Sequence, residues 1–597
     1  MSLKDLLFLS TGYVNAIPSI QEVMTQCLPL PSKADMDIQR IFILLGLAIT
    51  SYMLVLAWND DYGAAGKLVN DIEEIGNPII ITEEKSEYEI PKITKDAEDG
   101  LVPELEETSL LIESSSTLPN DQVVRVNTDV LELQIDLKGG DITRVALPAY
   151  PAALETPDEP FLLVDPLNNY VAQSGLIGPN GTDRSGLRPL FTTSQLNYDM
   201  GTEDTLVVSL KLVQESGVVI FKRFLFGRGD YLIRVEYEIN NTSSQEWRGA
   251  LFAQIKRDGQ LPRSFSENFM SLQPYVGGAI RTDKELYRKI EFSDLKEEPY
   301  KHTYPEGYIA LVQHYFVSAW VPVGTQDNNY QARKLPGKDI FLFGFTSLAT
   351  SISPGEKANL TALYYVGPKD QYRLREIAEG LDLTVDYGFL WWLSQPLFYL
   401  LTIMYSIFEN WGVAIIGLTV IVKTLLYPLS AASFRSMAKM RKLQPEMARL
   451  KERYGEDRQK FSQAMMEMYK KEGANPLGGC LPILLQMPVF LALYWTLMES
   501  VELRQAPFIL WIDDLSVMDP YFVLPILMGI SMYLTQLMQP EPPDPIQAKV
   551  FKFMPIMFTF FFLWFPSGLV LYWLINNILS ILQQLYVTRQ IEKADQG

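Results

Sequence analysis

The sequence predicts a polytopic α-helical membrane protein of six spans, with a large extracytoplasmic antiparallel β-sandwich between the first span and a five-helix remainder. Three observations predict this. Six apolar runs approach or reach the roughly 20 residues needed to cross about 30 Å of hydrocarbon. Between the first two runs, residues 121–382 alternate apolar and polar side chains with the period of two that marks half-buried strands. Basic residues gather in one loop between runs, which orients the whole chain.

In chain order, residues 1–35 form neither a signal peptide nor a domain, and "MDIQR" offers a natural start at Met36. Residues 1–35 are therefore expected to be a non-native extension. The run "IFILLGLAITSYMLVLAW" (41–58) follows Arg40 and precedes Asp60 and Asp61, so it starts inside and ends outside. It lacks a cleavage site, and 36–58 is expected to be an uncleaved anchor. The acidic stretch 59–120 has little apolar periodicity and is expected to be a linker. The sandwich follows over 121–382, closed by a helix in "QYRLREIAEGLD" (371–382). Residues 383–410, carrying Trp391 and Trp392, are expected to lie as a helix in the interface. A seventh crossing there would turn the basic loop outward.

The remaining spans are 411–430, 481–500, 521–538, 551–565 and 569–587, the last two joined by the turn "PSG" (566–568). Loop 431–480 holds Arg435, Lys439, Arg441, Lys442, Arg449 and further bases and is cytoplasmic, whereas 501–520 has one arginine and several acids and faces out. The connection 539–550 and the tail 588–597 then lie inside, so both termini are cytoplasmic. Loop 431–480 divides at Gly455 into two amphipathic helices, with Met437, Met440, Met447, Met465 and Met468 recurring at helical steps. Two readings stand for that face: a hairpin packed on itself, or a flexible surface touching varied apolar partners, with Arg441 among its contact residues.

Composition excludes several functions. Hydrophobic residues make up 48% and aromatics 12%, too many for a disordered chain. A net charge of −20 repels a phosphate backbone, so no direct nucleic-acid partner is expected. Cys27 and Cys480 fall in unrelated contexts, and His302 and His314 are expected to be ordinary sheet residues. No metal site or cofactor is expected, and there is no phosphate-binding GxxxxGK[ST] motif.

Lys423, within "TVIVKTLLYPLS" (419–430), is the charge that stands out. A lysine at the centre of a span costs about 2.5–3.5 kcal/mol on insertion scales. Placed about seven residues, or roughly 10 Å, from the end of its helix, it implies a hydrated cavity open to the cytoplasm rather than simple snorkelling. Thr419 shares its face one turn away, and Gln486, Thr559, Asn576 and Asn577 lie in neighbouring spans, where each alone is ordinary interhelical glue. No acidic residue is expected within the spans to pair with Lys423, which favours an external anionic partner and disfavours an ion relay. Two rival classes are a small-solute transporter, which should show internal repeats or paired half-helices, and a membrane-anchored carbohydrate enzyme, which should show converging acid and base groups.

The segments "YPLSAASFRSMAKMRKLQPEM", "NPLGGCLPILLQMPVFLALYW", "SVELRQAPFILWIDDLSVMDPYFVLPILMG" and "FTFFFLWFPSGLVLYWLINN" resemble the YidC/Oxa1/Alb3 membrane protein insertases, specifically their Gram-negative bacterial branch, in order over residues 36–588. The resemblance implies a non-enzymatic insertase and chaperone of the bacterial inner membrane, acting alone or with the Sec translocon. It implies a hydrophilic groove, open to cytoplasm and lipid, in which a positive charge attracts acidic residues in the translocated tail of a substrate. Lys423 stands where the family has arginine, keeping the charge and losing the bidentate fork. Thr419, Gln486, Thr559, Asn576, Tyr572 and Trp573 are the implied groove residues; Trp573 replaces a tyrosine of some members. Met487, Pro488, Ile556 and Phe561 are the implied slide for the departing helix. Implied partners are nascent membrane proteins, the Sec translocon with its accessory subunits, ribosome or signal recognition components at the cytoplasmic loops, and phospholipid. The sandwich resembles a sugar-mutarotase-like domain without implied catalysis, and the short tail argues against ribosome docking through it.

Overall fold

The computed structural model describes residues 122–183, 188–260, 274–454, 457–473, 481–539 and 545–596. The expected extension 1–35 with its start at Met36, the anchor 36–58, the linker 59–120, both cysteines and the turn at Gly455 lie outside those residues.

The β-rich domain holds two sheets. One runs through Tyr300–Tyr304, Asn328–Lys334, Ile340–Ser347, Trp247–Asp258, Val171–Ile177, Asp141–Ala153, Glu132–Asp136, Val123–Asn127 and Asn197–Asp199, with Thr350–Ile352 and Thr156–Val164 paired off this path. The other runs through Arg288–Ile290, Gly277–Ile280, Ile309–Val312, Phe316–Pro322, Lys357–Pro368, Leu232–Asn240, Val219–Gly227, Thr205–Val213 and Thr192–Thr193. Pairing is antiparallel except between Val123–Asn127 and Asn197–Asp199. Burial alternates along Val219–Gly227, as its sequence pattern requires, whereas Trp247–Asp258 is covered on both faces, with an apolar stretch from Gly249 to Ala253 and the polar Gln254, Arg257 and Asp258 buried with it. Ile135, Ile255 and Phe343 of the first sheet share one core with Ile220, Phe224, Tyr237 and Trp320 of the second.

Charge is buried inside this domain. Arg188 pairs with both Asp141 and Asp183, and Lys222 Nζ donates to the carbonyls of Gly139 (3.0 Å) and Ser174 (3.1 Å). Gly140 makes room for that lysine: at φ +63° any Cβ would sit 2.9 Å from Lys222 Cδ.

Helices follow. Asp370 caps α1 (Gln371–Ile377) by accepting from the Tyr372 and Arg373 amides. α2 (Trp391–Phe408) buries Ser394, Leu397, Phe398 and Leu401 and leaves Trp391, Trp392, Tyr399, Ile407 and Phe408 exposed. Asn410 caps α3 (Trp411–Leu425). Here the structure corrects the expected span 411–430. α3 ends at Leu425 and the chain turns by 67° into α4 (Tyr427–Lys442). The cause is Pro428, which has no N–H for the Thr424 carbonyl and whose ring crowds it.

The expected two-helix loop 431–480 is also divided differently, into α4, α5 (Gln444–Tyr454) and α6 (Arg458–Lys471). Met447, Met468 and Tyr469 are buried between α5 and α6 with Met440 and Met465 against them, and Tyr469 Oη donates to Met447 Sδ at 2.9 Å. Met437 belongs elsewhere: with Ala431 and Phe434 it packs on Val587. Arg441 is exposed.

α7 (Leu481–Glu499), α8 (Val523–Leu537), α9 (Pro545–Phe561) and α10 (Ser567–Gln596) complete the bundle. α9 begins inside the connection expected over 539–550, and α10 absorbs the expected tail. Among the described residues, Ser567–Ile591 is the helix long and apolar enough to cross a membrane alone; α3 and α4 would qualify together but for their bend, and Val523–Leu537 is a shorter apolar helix. Leu418 (α3), Leu493 (α7), Met528 (α8) and Tyr572 (α10) meet in one core.

The bundle is tied at the end nearest the β-rich domain. Asn410 Nδ2 donates to the Phe508 carbonyl (3.1 Å), the Ser567 and Gly568 amides to the carbonyls of Val517 (2.7 Å) and Leu515 (3.0 Å), and Asp519 accepts from Trp511 Nε1 (2.9 Å) and the Leu524 amide (2.7 Å). Two expectations are corrected at this end. His314 lies in the turn between Ile309–Val312 and Phe316–Pro322, and its Nε2 donates to the Met498 carbonyl at 2.8 Å. Burial holds it down to about 3, so the ring is neutral. An acid does stand in the expected span 481–500: Glu499, whose partner is Lys369 at 2.6 Å.

Candidate functional site: a buried lysine between two helices

Because α3 stops early, Lys423 occupies its last turn rather than its middle. A cation there meets the negative end of the helix dipole, which favours it. The side chain is buried at 6% exposure, and Nζ donates to Ser580 Oγ of α10 at 2.8 Å. Ser580 in turn donates to the Asn576 carbonyl at 2.7 Å. No carboxylate pairs with Lys423 among the described residues. An open pocket of about 380 Å³ adjoins this turn, lined by Thr424, Tyr427, Leu582, Gln583 and Tyr586, with room for several waters.

Polar atoms collect along the α8–α10 side. The side-chain oxygens of Asn576, Gln536, Gln583 and Gln584 and the indole N–H of Trp573 are buried without a partner among the described residues. Their amide nitrogens are engaged where Gln584 Nε2 meets the Met538 carbonyl (3.1 Å) and Gln536 Nε2 meets the Phe551 carbonyl. Each orphaned oxygen costs about 1–3 kcal/mol unless water or another chain donates to it. Asn577 is satisfied, donating to Ser531 Oγ at 3.0 Å.

The sequence-expected residues separate into three groups. Lys423 and Asn576 meet through Ser580, Trp573 packs between Phe490 of α7 and Phe562, and Gln486 donates to Tyr572 Oη, joining α7 to α10. Thr419 and Thr559 spend their hydroxyls on their own helices, on the carbonyls of Ile415 (2.6 Å) and Pro555 (2.7 Å). Thr559 instead packs against Gly529 of α8. Met487, Pro488 and Ile556 are exposed on the outside of the bundle, whereas Phe561 is half-buried among Phe562 and Phe565. Ser580 and the glutamines were missed. Ser580 lies four residues after Asn576 on one face of α10, a spacing that places it beside Lys423 once α10 is known to neighbour α3.

Fold and site together define a bundle of apolar helices beside a β-rich domain, with a buried lysine that no carboxylate pairs among the described residues. Two family descriptions match in tandem: YidC periplasmic domain over residues 123–400 and 60Kd inner membrane protein over 403–594. The chain is 50% identical over 563 residues to a membrane protein insertase YidC of Cellvibrio japonicus (94% of this chain, 100% of that protein). It is 49% identical over 566 residues to the one of Azotobacter vinelandii (94% and 100%). A crystal structure described as an active YidC insertase with its first transmembrane domain resolved aligns over 78% of this chain and 92% of that one, with 18% identity and a TM-score of 0.36. The chain belongs to the YidC family of membrane protein insertases.

Proposed function

We propose that the protein inserts and helps fold integral proteins of the bacterial inner membrane, using Lys423 as an electrostatic lure. The observation that carries this is a buried ammonium with a neutral hydroxyl as its protein partner. The acidic residues of a substrate's translocated tail supply the missing anion, and the orphaned side-chain oxygens beside it receive the donors of an unfolded backbone. The apolar segment then leaves over Met487, Pro488, Ile556 and Phe561 toward lipid. No covalent step is needed: apolar burial and the membrane potential drive transfer.

In this reading the six spans are 41–58, 411–430 bent at Leu426, 481–500, 521–538, 551–565 and 569–587, with both termini cytoplasmic and α2 in the interface. The basic exposed flank of α4 to α6 fits contact with ribosome or signal recognition components and with anionic phospholipid, and the Sec translocon is a further partner. The test is reconstitution of the purified chain into vesicles with a short single-span substrate. Protease protection of the substrate's tail supports the reading; vesicles that insert no more than empty ones refute it.

A further inference from the structure

The joint between the β-rich domain and α7 is built from charges that a merely stable interface would avoid. Lys369, 4% exposed, leaves the strand Lys357–Pro368 and places Nζ 2.6 Å from Glu499 Oε2 and 3.2 Å from the Thr384 carbonyl. Glu499, 2% exposed, is the last residue of α7, where the helix dipole disfavours an anion. A buried pair of this kind stabilises little compared with apolar packing, but it tolerates only one geometry.

Neighbouring contacts hold the same end. Arg504 Nη2 donates to the Pro151 carbonyl at 2.6 Å, and its guanidinium lies over Phe161 (5.4 Å) and Phe316 (5.8 Å). Val501 enters the core of the β-rich domain, and His314 holds the Met498 carbonyl. Farther along, α7 carries Pro488, which removes one rung of the helix and leaves a point of easy bending. Just beyond it lies Gln486, which touches Tyr572 across the bundle.

We propose that Lys369 and Glu499 are positioning residues: with Arg504 they make the β-rich domain a fixed frame that sets the angle of α7, and thereby the Gln486–Tyr572 contact beside the lysine seam. The consequence for transport rests on the insertase reading; the geometry does not.

The distance measurement uses the full-length chain with both cysteines replaced by serine and spin labels at Y372C, on the helix α1 that closes the β-rich domain, and M487C on α7, two exposed positions, while insertion is read on the unlabelled chains. Lys369→Met with Glu499→Leu removes the pair without stranding a charge, and Lys369→Arg keeps it. The parent and Lys369→Arg should show one narrow interlabel distance. The double variant should keep its melting temperature, broaden that distribution, and slow insertion of a single-span substrate about tenfold. A narrow distribution in the double variant overturns the frame, and parental insertion despite a broad one overturns its role at the groove. A parent that inserts nothing would count against the insertase reading alone, because the distance measurement stands without it.

Discussion

Replacing Lys423 by methionine removes the charge while keeping most of the buried stem, so the effect on insertion isolates electrostatics. At about 4 Å, a substrate carboxylate and this ammonium attract by about 1 kcal/mol in bulk water and about 4 kcal/mol at an effective dielectric of 20. With a factor of ten for each ~1.4 kcal/mol, the loss lies between about fivefold and a thousandfold. Low solvent access at 6% exposure argues for the upper part of that window, and the adjoining open pocket for something below its ceiling. The assay is insertion in vesicles of two versions of one single-span substrate, one with acidic residues in its translocated tail and one with the matching amides, together with growth of a strain depleted of its own insertase. Lys423→Met should slow the acidic version and spare the amide version; Lys423→Arg should retain activity, and Lys423→Glu should abolish it. Equal slowing of both substrates, or equal growth with arginine and glutamate, would refute the electrostatic argument.

Two further outcomes follow from packing and burial. A Cβ at Gly529 would collide with Thr559 Oγ1, so Gly529→Val should push α8 from α9 and lower stability by about 1–3 kcal/mol, with Thr559→Ala restoring part of the melting temperature. In the β-rich domain, burial lowers Lys222 to about 7. The folded chain therefore holds that proton less tightly than the unfolded one, and stability should rise between pH 7 and about 10.5, with no further change from this group below 7. Thermal melting of the full chain in detergent should show Lys222→Met losing a slope of the order of a few kcal/mol over that window, and parallel profiles would contradict the assignment.

Much of this architecture was legible in the sequence because two periodicities carry it. Alternation in "VIFKRFLFG" announces the strand Val219–Gly227, and apolar runs of helical length announce α7, α8 and α10. What the pattern missed are places where one residue overrides a run. Pro428 ends α3 inside the expected span 411–430, which moved Lys423 from mid-helix to a C-terminal turn. Lys423 itself was legible because a charge among apolar neighbours is conspicuous. Ser580 and the unpaired glutamine oxygens were not, since small and neutral polar residues are common in membrane helices and gain meaning only from the neighbours that folding supplies. Lys369 and Glu499 are separated by 130 positions, and nothing local joins them.

The ties between Asn410 and Phe508, Ser567 and Val517, and Asp519 and Leu524 all gather at one rim of the bundle, while the opposite rim holds Gln536, Gln583 and Gln584 with oxygens to spare. The two rims therefore differ in unspent hydrogen-bonding capacity: the first has its polar groups paired, and the second keeps acceptors beside the ties of Gln536 and Gln584. On the proposed function, an incoming backbone would meet acceptors still to be satisfied at one rim and hydrogen bonds already made at the other.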